Sequence, residues 1–183
     1  MKTITASQLL SLLCDSGLDR DTLEMTAVAA LKSRAMKVAT AESCTGGLLS
    51  ERITRVSGAS EVFDCGVCSY ANAVKAKVLG VSEETLRTVG AVSPETAVQM
   101  AQGVRLLADA DIGISTTGIA GPTGGTVQKP VGLVFMGVCT ETEAYAIKLL
   151  LGEENTRDYI RAMASSAALF TVLSEAVKFN DEW

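Results

Sequence analysis

Ser43 stands in the segment AESCTGG, between the apolar run MKVATAE and the periodic run LLSERITRVS, so a strand, a tight turn and a helix follow one another around it. A hydroxyl there is presented at a helix N-terminus. The N–H groups of Thr45, Gly46 and Gly47 are then placed to face an anion or a developing oxyanion, and the glycines let a substrate approach the backbone. The chemistry this suggests is nucleophilic attack by serine. The same residue would also serve as an ordinary N-cap, and the segment by itself fits both readings.

A serine nucleophile needs a base, and the chain contains no histidine. That removes Ser-His-Asp triads, imidazole bases and His-ligated zinc or haem sites. The remaining substitute is a lysine whose pKa is lowered by burial or by nearby positive charge. Lys75, in SYANAVK at a helix start, is the candidate, and Tyr70 at the preceding strand end is placed to donate to or orient the same proton network. Taken alone, Lys75 also fits a solvated lysine on a short helix.

Two further segments carry polar chemistry. Ser115-Thr116-Thr117 empties into GIAGPTGGTVQKP, a loop with four glycines and two prolines that reads as a ligand cradle or as a surface loop; it is neither a Walker A loop nor a G-x-G-x-x-G turn. Lys129 at its end could bind phosphate or stay solvated. Arg157 and Arg161, four apart on the last helix, could clamp a phosphate or carboxylate, or pair at the surface with Glu153 and Glu154.

The elements that must position these residues follow from periodicity. An N-terminal helical arm over 1–34 holds two helices, the second with an acidic start at Asp21 and a stripe of Leu23, Met25, Val28, Ala29 and Leu31. Strands are expected in MKVATAES, EVFDCGVCSY, DIGISTT, VGLVFMGVCT and AYAIKLLLG, the last two forming a hairpin. Helices are expected at ANAVKAKVLG, closed by Gly80, and after the Ser93-Pro94 start, the latter packing through Val98, Ala101 and Leu106; a long C-terminal helix spans about Thr156 to Val177. The alternation argues for an α/β layered fold around a mixed sheet of about five strands, with ligands at the strands' carboxyl ends. Three loops meet there: 42–47, 69–75 and 117–130.

The 183 residues read as one domain, 48% hydrophobic and 20% charged, which excludes low-hydrophobicity disorder. With 21 acidic against 16 basic side chains the net charge is −5, and aromatics make up only 4%, so neither a basic field nor stacking platforms for a nucleic acid polymer are expected. A small-molecule site is the better expectation. No run of 18 apolar residues occurs and MKTITASQLL lacks the pattern of a signal peptide, so a cytoplasmic protein without membrane contact is expected. Five cysteines, odd in number, fit a reducing compartment; Cys65-x-x-Cys68 has no second pair and reads as small buried strand residues. No metal and no cofactor are called for.

Taken together, AESCTGG, SYANAVKAKVLGV, GAVSPETA and TTGIAGPTGG followed by KPVG resemble, in order and spacing from about Leu31 to Arg161, the CinA C-terminal domain family, whose stand-alone members include nicotinamide-nucleotide (NMN) amidohydrolases. The resemblance implies a three-layer α/β/α sandwich. It also implies hydrolysis of the carboxamide of nicotinamide mononucleotide to nicotinate mononucleotide and ammonia, in pyridine-nucleotide salvage. It makes Ser43 the nucleophile, places Tyr70 and Lys75 in the Y-x-N-x-x-K motif, and puts Thr117 and Gly118 in the same pocket. Only the amidohydrolase-like part of full-length members is covered, so activities of their larger N-terminal domain are not expected. The family's G-D-R-x-x-[IV]-R pattern reads here Gly152-Glu-Glu-Asn-Thr-Arg157-Asp-Tyr-Ile-Arg161, keeping both arginines and losing the glycine spacing.

The residues and the resemblance give one mechanism: attack by Ser43, Lys75 as base and then proton donor directly or through Tyr70, an oxyanion held by Thr45 to Gly47, and phosphate contacts from the glycine-rich loop with Lys129 or Arg161. Two alternatives are a nucleotide-binding regulatory module without turnover and an amidohydrolase of another amide. The arm is expected to serve packing or contacts in a homo-oligomer.

Overall fold

The chain opens with a four-residue strand, β1 (Lys2–Thr5), that turns directly into α1 (Ala6–Asp15). The turn is fixed at Thr5, whose hydroxyl accepts from the Gln8 N–H while the Gln8 side chain accepts from the Thr5 N–H, a reciprocal capping box. The structure is a computed structural model, and it describes residues 1–19 and 22–178. Next come α2 (Leu23–Ser33), β2 (Val38–Glu42), α3 (Leu48–Thr54), β3 (Phe63–Cys68), α4 (Asn72–Leu79), α5 (Glu83–Thr88) and α6 (Pro94–Ala108). The chain continues through β4 (Ile112–Gly118), the hairpin β5 (Leu133–Cys139) and β6 (Ala144–Leu150), and α7 (Arg157–Lys178).

The strands form a mixed sheet in the order β1-β6-β5-β4-β2-β3. The pairs β1/β6, β2/β3 and β2/β4 are parallel, and β4/β5 and β5/β6 are antiparallel. There are six strands where about five are expected. The addition is β1, in which Ile4 is the sole buried residue, so a sequence pattern of strand length never forms. The N-terminal segment is therefore a part of the sheet as well as helical, pairing Ile4 with Leu149.

β2 is buried at every position, as a strand covered on both faces requires. On one face α3 and α7 lie against the sheet, with α1 and α2 packed on α7; Leu31, Ile53, Ile114, Met136, Ile160 and Leu169 meet in that core. On the other face α6 covers the sheet and carries α4, with Ala39, Ala41, Leu79, Met100 and Val104 between them. The result is the three-layer α/β/α sandwich. The stretch Arg157–Val177 of α7 is apolar enough to cross a bilayer, yet 67% of it is buried inside the fold, which is the pattern of a core helix.

Several local expectations change. The buried face of α2 is Leu23, Glu24, Ala27, Val28 and Leu31, while Met25 and Ala29 are exposed; Asp21 lies outside the described residues. In α6 the buried positions are Thr96, Ala97, Met100, Ala101 and Val104, and Leu106 is 76% exposed. The helix sits backbone to backbone on its neighbours: a Cβ at Gly103 would lie 1.9 Å from the Leu79 carbonyl, and one at Gly137 2.1 Å from that of Ala97. β3 is an edge strand with alternating exposure, so Cys65 is half-buried and Cys68 exposed rather than both buried. Being three apart on a strand, the two thiols project from opposite faces and share no site.

Candidate active site

The three parallel strands β2, β3 and β4 end together, and the residues just beyond them build the site. Ser43 follows β2 and its N–H donates to the Thr116 carbonyl at 2.9 Å, which extends the strand pairing to the nucleophile candidate itself. The chain then reverses through Gly46 (φ +60°) and Gly47 (φ +95°) into α3. Two consecutive residues in the left-handed region explain the glycine pair.

The α3 N-terminus is not open to an outside anion. Glu42, fully buried, accepts from the Gly47 N–H (3.0 Å), the Leu49 N–H (3.0 Å), the Ser50 N–H (2.8 Å) and the Ser50 hydroxyl (2.6 Å). A carboxylate on the first-turn amides satisfies the helix's unpaired donors and its dipole together. Gly47 is thereby removed from the expected oxyanion donors. Among the described residues, the N–H groups of Thr45 and Gly46 donate to no backbone acceptor and stay available. Replacing Glu42 with glutamine puts an NH2 where one oxygen accepts; we expect this to lower unfolding free energy by about 1.5–3 kcal/mol, seen as a lower urea midpoint at unchanged slope.

Lys75 occupies the first turns of α4 and is fully buried. Its Nζ lies 3.0 Å from Ser43 Oγ, 2.5 Å from the Ser69 carbonyl and 3.4 Å from the Tyr70 carbonyl. Burial pushes its pKa below the ordinary 10.5. Two of the three neighbours are carbonyls, which only accept. A neutral amine has two N–H groups for them and one lone pair, which then faces the Ser43 hydroxyl proton. An ammonium has three N–H groups for the same three oxygens. The cage thus fits both states, and a proton can pass from Ser43 to Lys75 without either side chain moving.

Ser43 opens onto a cleft of about 230 Å³ whose wall includes Cys44, Tyr70, Gly118, Gly121, Gly124 and Arg157. Burial pushes the Cys44 thiol up to about 12, so it stays protonated and inert beside the serine. Among the described residues no three His, Cys, Asp or Glu side chains converge into a metal-holding group.

Other expected ligands are placed differently. Tyr70 is 70% exposed, and its hydroxyl accepts from Arg157 Nη2 at 3.2 Å; it is the Tyr70 carbonyl that faces Lys75. The turn between β3 and α4 points the backbone inward and the ring outward. Gly118 lines the cleft, but the Thr117 hydroxyl, one residue earlier on the strand, projects to the opposite face and donates to the Ala91 carbonyl at 2.6 Å. Lys129 Nζ donates to the Val89 carbonyl at 2.7 Å and stands outside the cleft. Arg161 donates from Nε (3.1 Å) and Nη2 (2.7 Å) to the Thr45 carbonyl, again outside the cleft wall. Neither arginine pairs with Glu153 or Glu154. It is Arg157 that enters the cleft, its Nη1 donating to the Gly121 carbonyl at 2.9 Å.

Two contributors escaped the sequence reading. Glu42 reads from sequence as the end of a strand, and its backbone N–H partners leave no mark there. Arg157 reads from sequence as half of a clamp or as a surface partner of Glu153 and Glu154, not as part of the cleft wall.

The family model for the CinA C-terminal domain matches residues 20–176. A relative from Caldanaerobacter subterraneus, whose name describes a competence-damage inducible protein, is 52% identical over 145 residues, 79% of this chain and 35% of its own length. The chain spans about a third of the length of the curated relatives it matches. Among solved structures, competence/damage inducible protein CihA from Agrobacterium tumefaciens is 38% identical with a TM-score of 0.79, covering 83% of this chain and 94% of that one. Competence damage-inducible protein A from Klebsiella pneumoniae reaches a TM-score of 0.83 at 29% identity, covering 88% and 99%. With the family model spanning most of the sequence and the α/β fold matching that of solved relatives, the chain belongs to the CinA C-terminal domain family.

Proposed function

We propose that the protein hydrolyses the carboxamide of nicotinamide mononucleotide, releasing ammonia and nicotinate mononucleotide through a Ser-Lys mechanism. The observation that carries this reading is the fully buried Lys75 Nζ at 3.0 Å from Ser43 Oγ, in a cage that suits the neutral amine. Lys75 takes the hydroxyl proton as Oγ bonds to the carboxamide carbon, and the carbonyl oxygen becomes an oxyanion facing the Thr45 and Gly46 N–H groups. As the C–N bond breaks, protonated Lys75 returns the proton to the nitrogen, which leaves as ammonia. Lys75, neutral again, then takes a proton from water as it attacks the ester and returns it to Ser43 Oγ as the acyl C–O bond breaks, freeing the serine and the acid product, which ionises to the carboxylate.

In this reading Arg157, the cation of the cleft wall, meets the substrate's phosphate, and Tyr70, held by Arg157, flanks the ring. Arg157→Ala is expected to raise KM for nicotinamide mononucleotide about 10- to 100-fold with a smaller change in kcat, as loss of a charge-assisted contact does. Product analysis by proton NMR tests the reading as a whole: substrate should convert to nicotinate mononucleotide with one ammonia per turnover. Thermal stabilisation by the nucleotide without conversion would point instead to a binding module.

A further inference from the structure

Arg161 shares a helix face with Arg157 but does another job. Its guanidinium grips the Thr45 carbonyl through two N–H groups, at 3.1 and 2.7 Å, while its nearest carboxylate, Asp158, is 3.9 Å away and 94% exposed. Thr45 is otherwise held by its own side chain: it is fully buried, with its hydroxyl 2.7 Å from that of Thr116. The same carbonyl also accepts the Leu48 N–H at 3.3 Å. Gly46, next along, is exposed, and a Cβ there would approach the Arg161 Nη2 to 3.7 Å.

The Thr45–Gly46 peptide is trans, and a planar trans peptide points its carbonyl and its N–H in opposite directions. Fixing the carbonyl toward α7 therefore fixes the Gly46 N–H away from it. That N–H has no acceptor among the described residues. A cation on the carbonyl also polarises the peptide and makes its N–H a stronger donor.

We propose that Arg161 is a positioning residue for catalysis: by holding the Thr45 carbonyl it aims and strengthens the Gly46 N–H as an oxyanion donor, and it does not bind substrate itself. The proposal rests on the amidohydrolase reading above. It assigns the two arginines separate duties, Arg157 in ground-state binding and Arg161 in the transition state.

The test measures kcat and KM for nicotinamide mononucleotide, and inhibition by the product nicotinate mononucleotide, in Arg161→Met and Arg161→Lys at matched melting temperature. The expected result is a fall in kcat of about 10- to 100-fold in Arg161→Met, below the ~100- to 1,000-fold cost of deleting an oxyanion donor outright. KM and the product's inhibition constant stay within about twofold, because both read ground-state binding. Arg161→Lys, which keeps the charge and one donor, recovers part of the kcat, and it carries the test alone if the methionine variant does not fold. Raised KM and weakened product inhibition at preserved kcat would make Arg161 a substrate ligand and overturn the proposal, as would unchanged kinetics in both variants. Absence of ammonia release from the unsubstituted protein is a different failure: it removes the amidohydrolase reading, and this proposal with it.

Discussion

Ser43→Ala should release ammonia from nicotinamide mononucleotide at least about 10,000-fold more slowly than the unsubstituted protein, in line with loss of a covalent nucleophile. The fold should be unaffected. Ser43 is held by its backbone N–H, which bonds the Thr116 carbonyl, and its side chain contributes one hydrogen bond, from Lys75. Nucleotide binding should survive, since the cleft wall and Arg157 are untouched. The variant thus separates turnover from recognition: it keeps thermal stabilisation by the nucleotide while losing chemistry. A protein whose function was binding alone would show no difference between the two forms.

The second large effect belongs to Lys75. Lys75→Met keeps much of the side chain's length and removes the amine, and it is expected to lower kcat by about 1,000-fold, within the range for loss of a general base. Lys75→Arg should do no better, because a guanidinium stays protonated at every accessible pH. The sign of the pH dependence follows from burial. Lys75 works as a base in its neutral form, and desolvation lowers its pKa, so kcat/KM should rise with pH and level off above an inflection lying below 10.5. In Lys75→Met the residual activity should lose that inflection. An unburied lysine would place the rise at the ordinary value, and a carboxylate base would place it far lower.

The strand-turn-helix around Ser43 was legible because its signals are local: a buried strand, two glycines that take positive φ, and a periodic helix. So were the Ser93-Pro94 start of α6 and the Gly80 close of α4. The Ser43–Lys75 pairing was another matter. The two lie 32 residues apart and approach only because β3 ends beside β2 and α4 begins there, so residue types suggested the pair while tertiary structure had to deliver it.

The misplaced ligands share one cause. Lys129, Arg161 and Thr117 all donate to backbone carbonyls, of Val89, Thr45 and Ala91. A carbonyl acceptor leaves no mark in sequence, so these side chains looked free for a ligand when they were committed to holding loops. The same holds in reverse for Glu42, whose partners are mostly backbone N–H groups. β1 was missed because four residues with one buried position make no pattern; the β6 edge it pairs with supplies what its own sequence lacks.

The most direct test of the account is ammonia release from nicotinamide mononucleotide by the purified protein, measured beside Ser43→Ala and Lys75→Met at matched stability. Sustained release with nicotinate mononucleotide as co-product, lost in both variants, is the expected result. Release that persists in either variant, or none from the unsubstituted protein under conditions where the nucleotide binds, would contradict it.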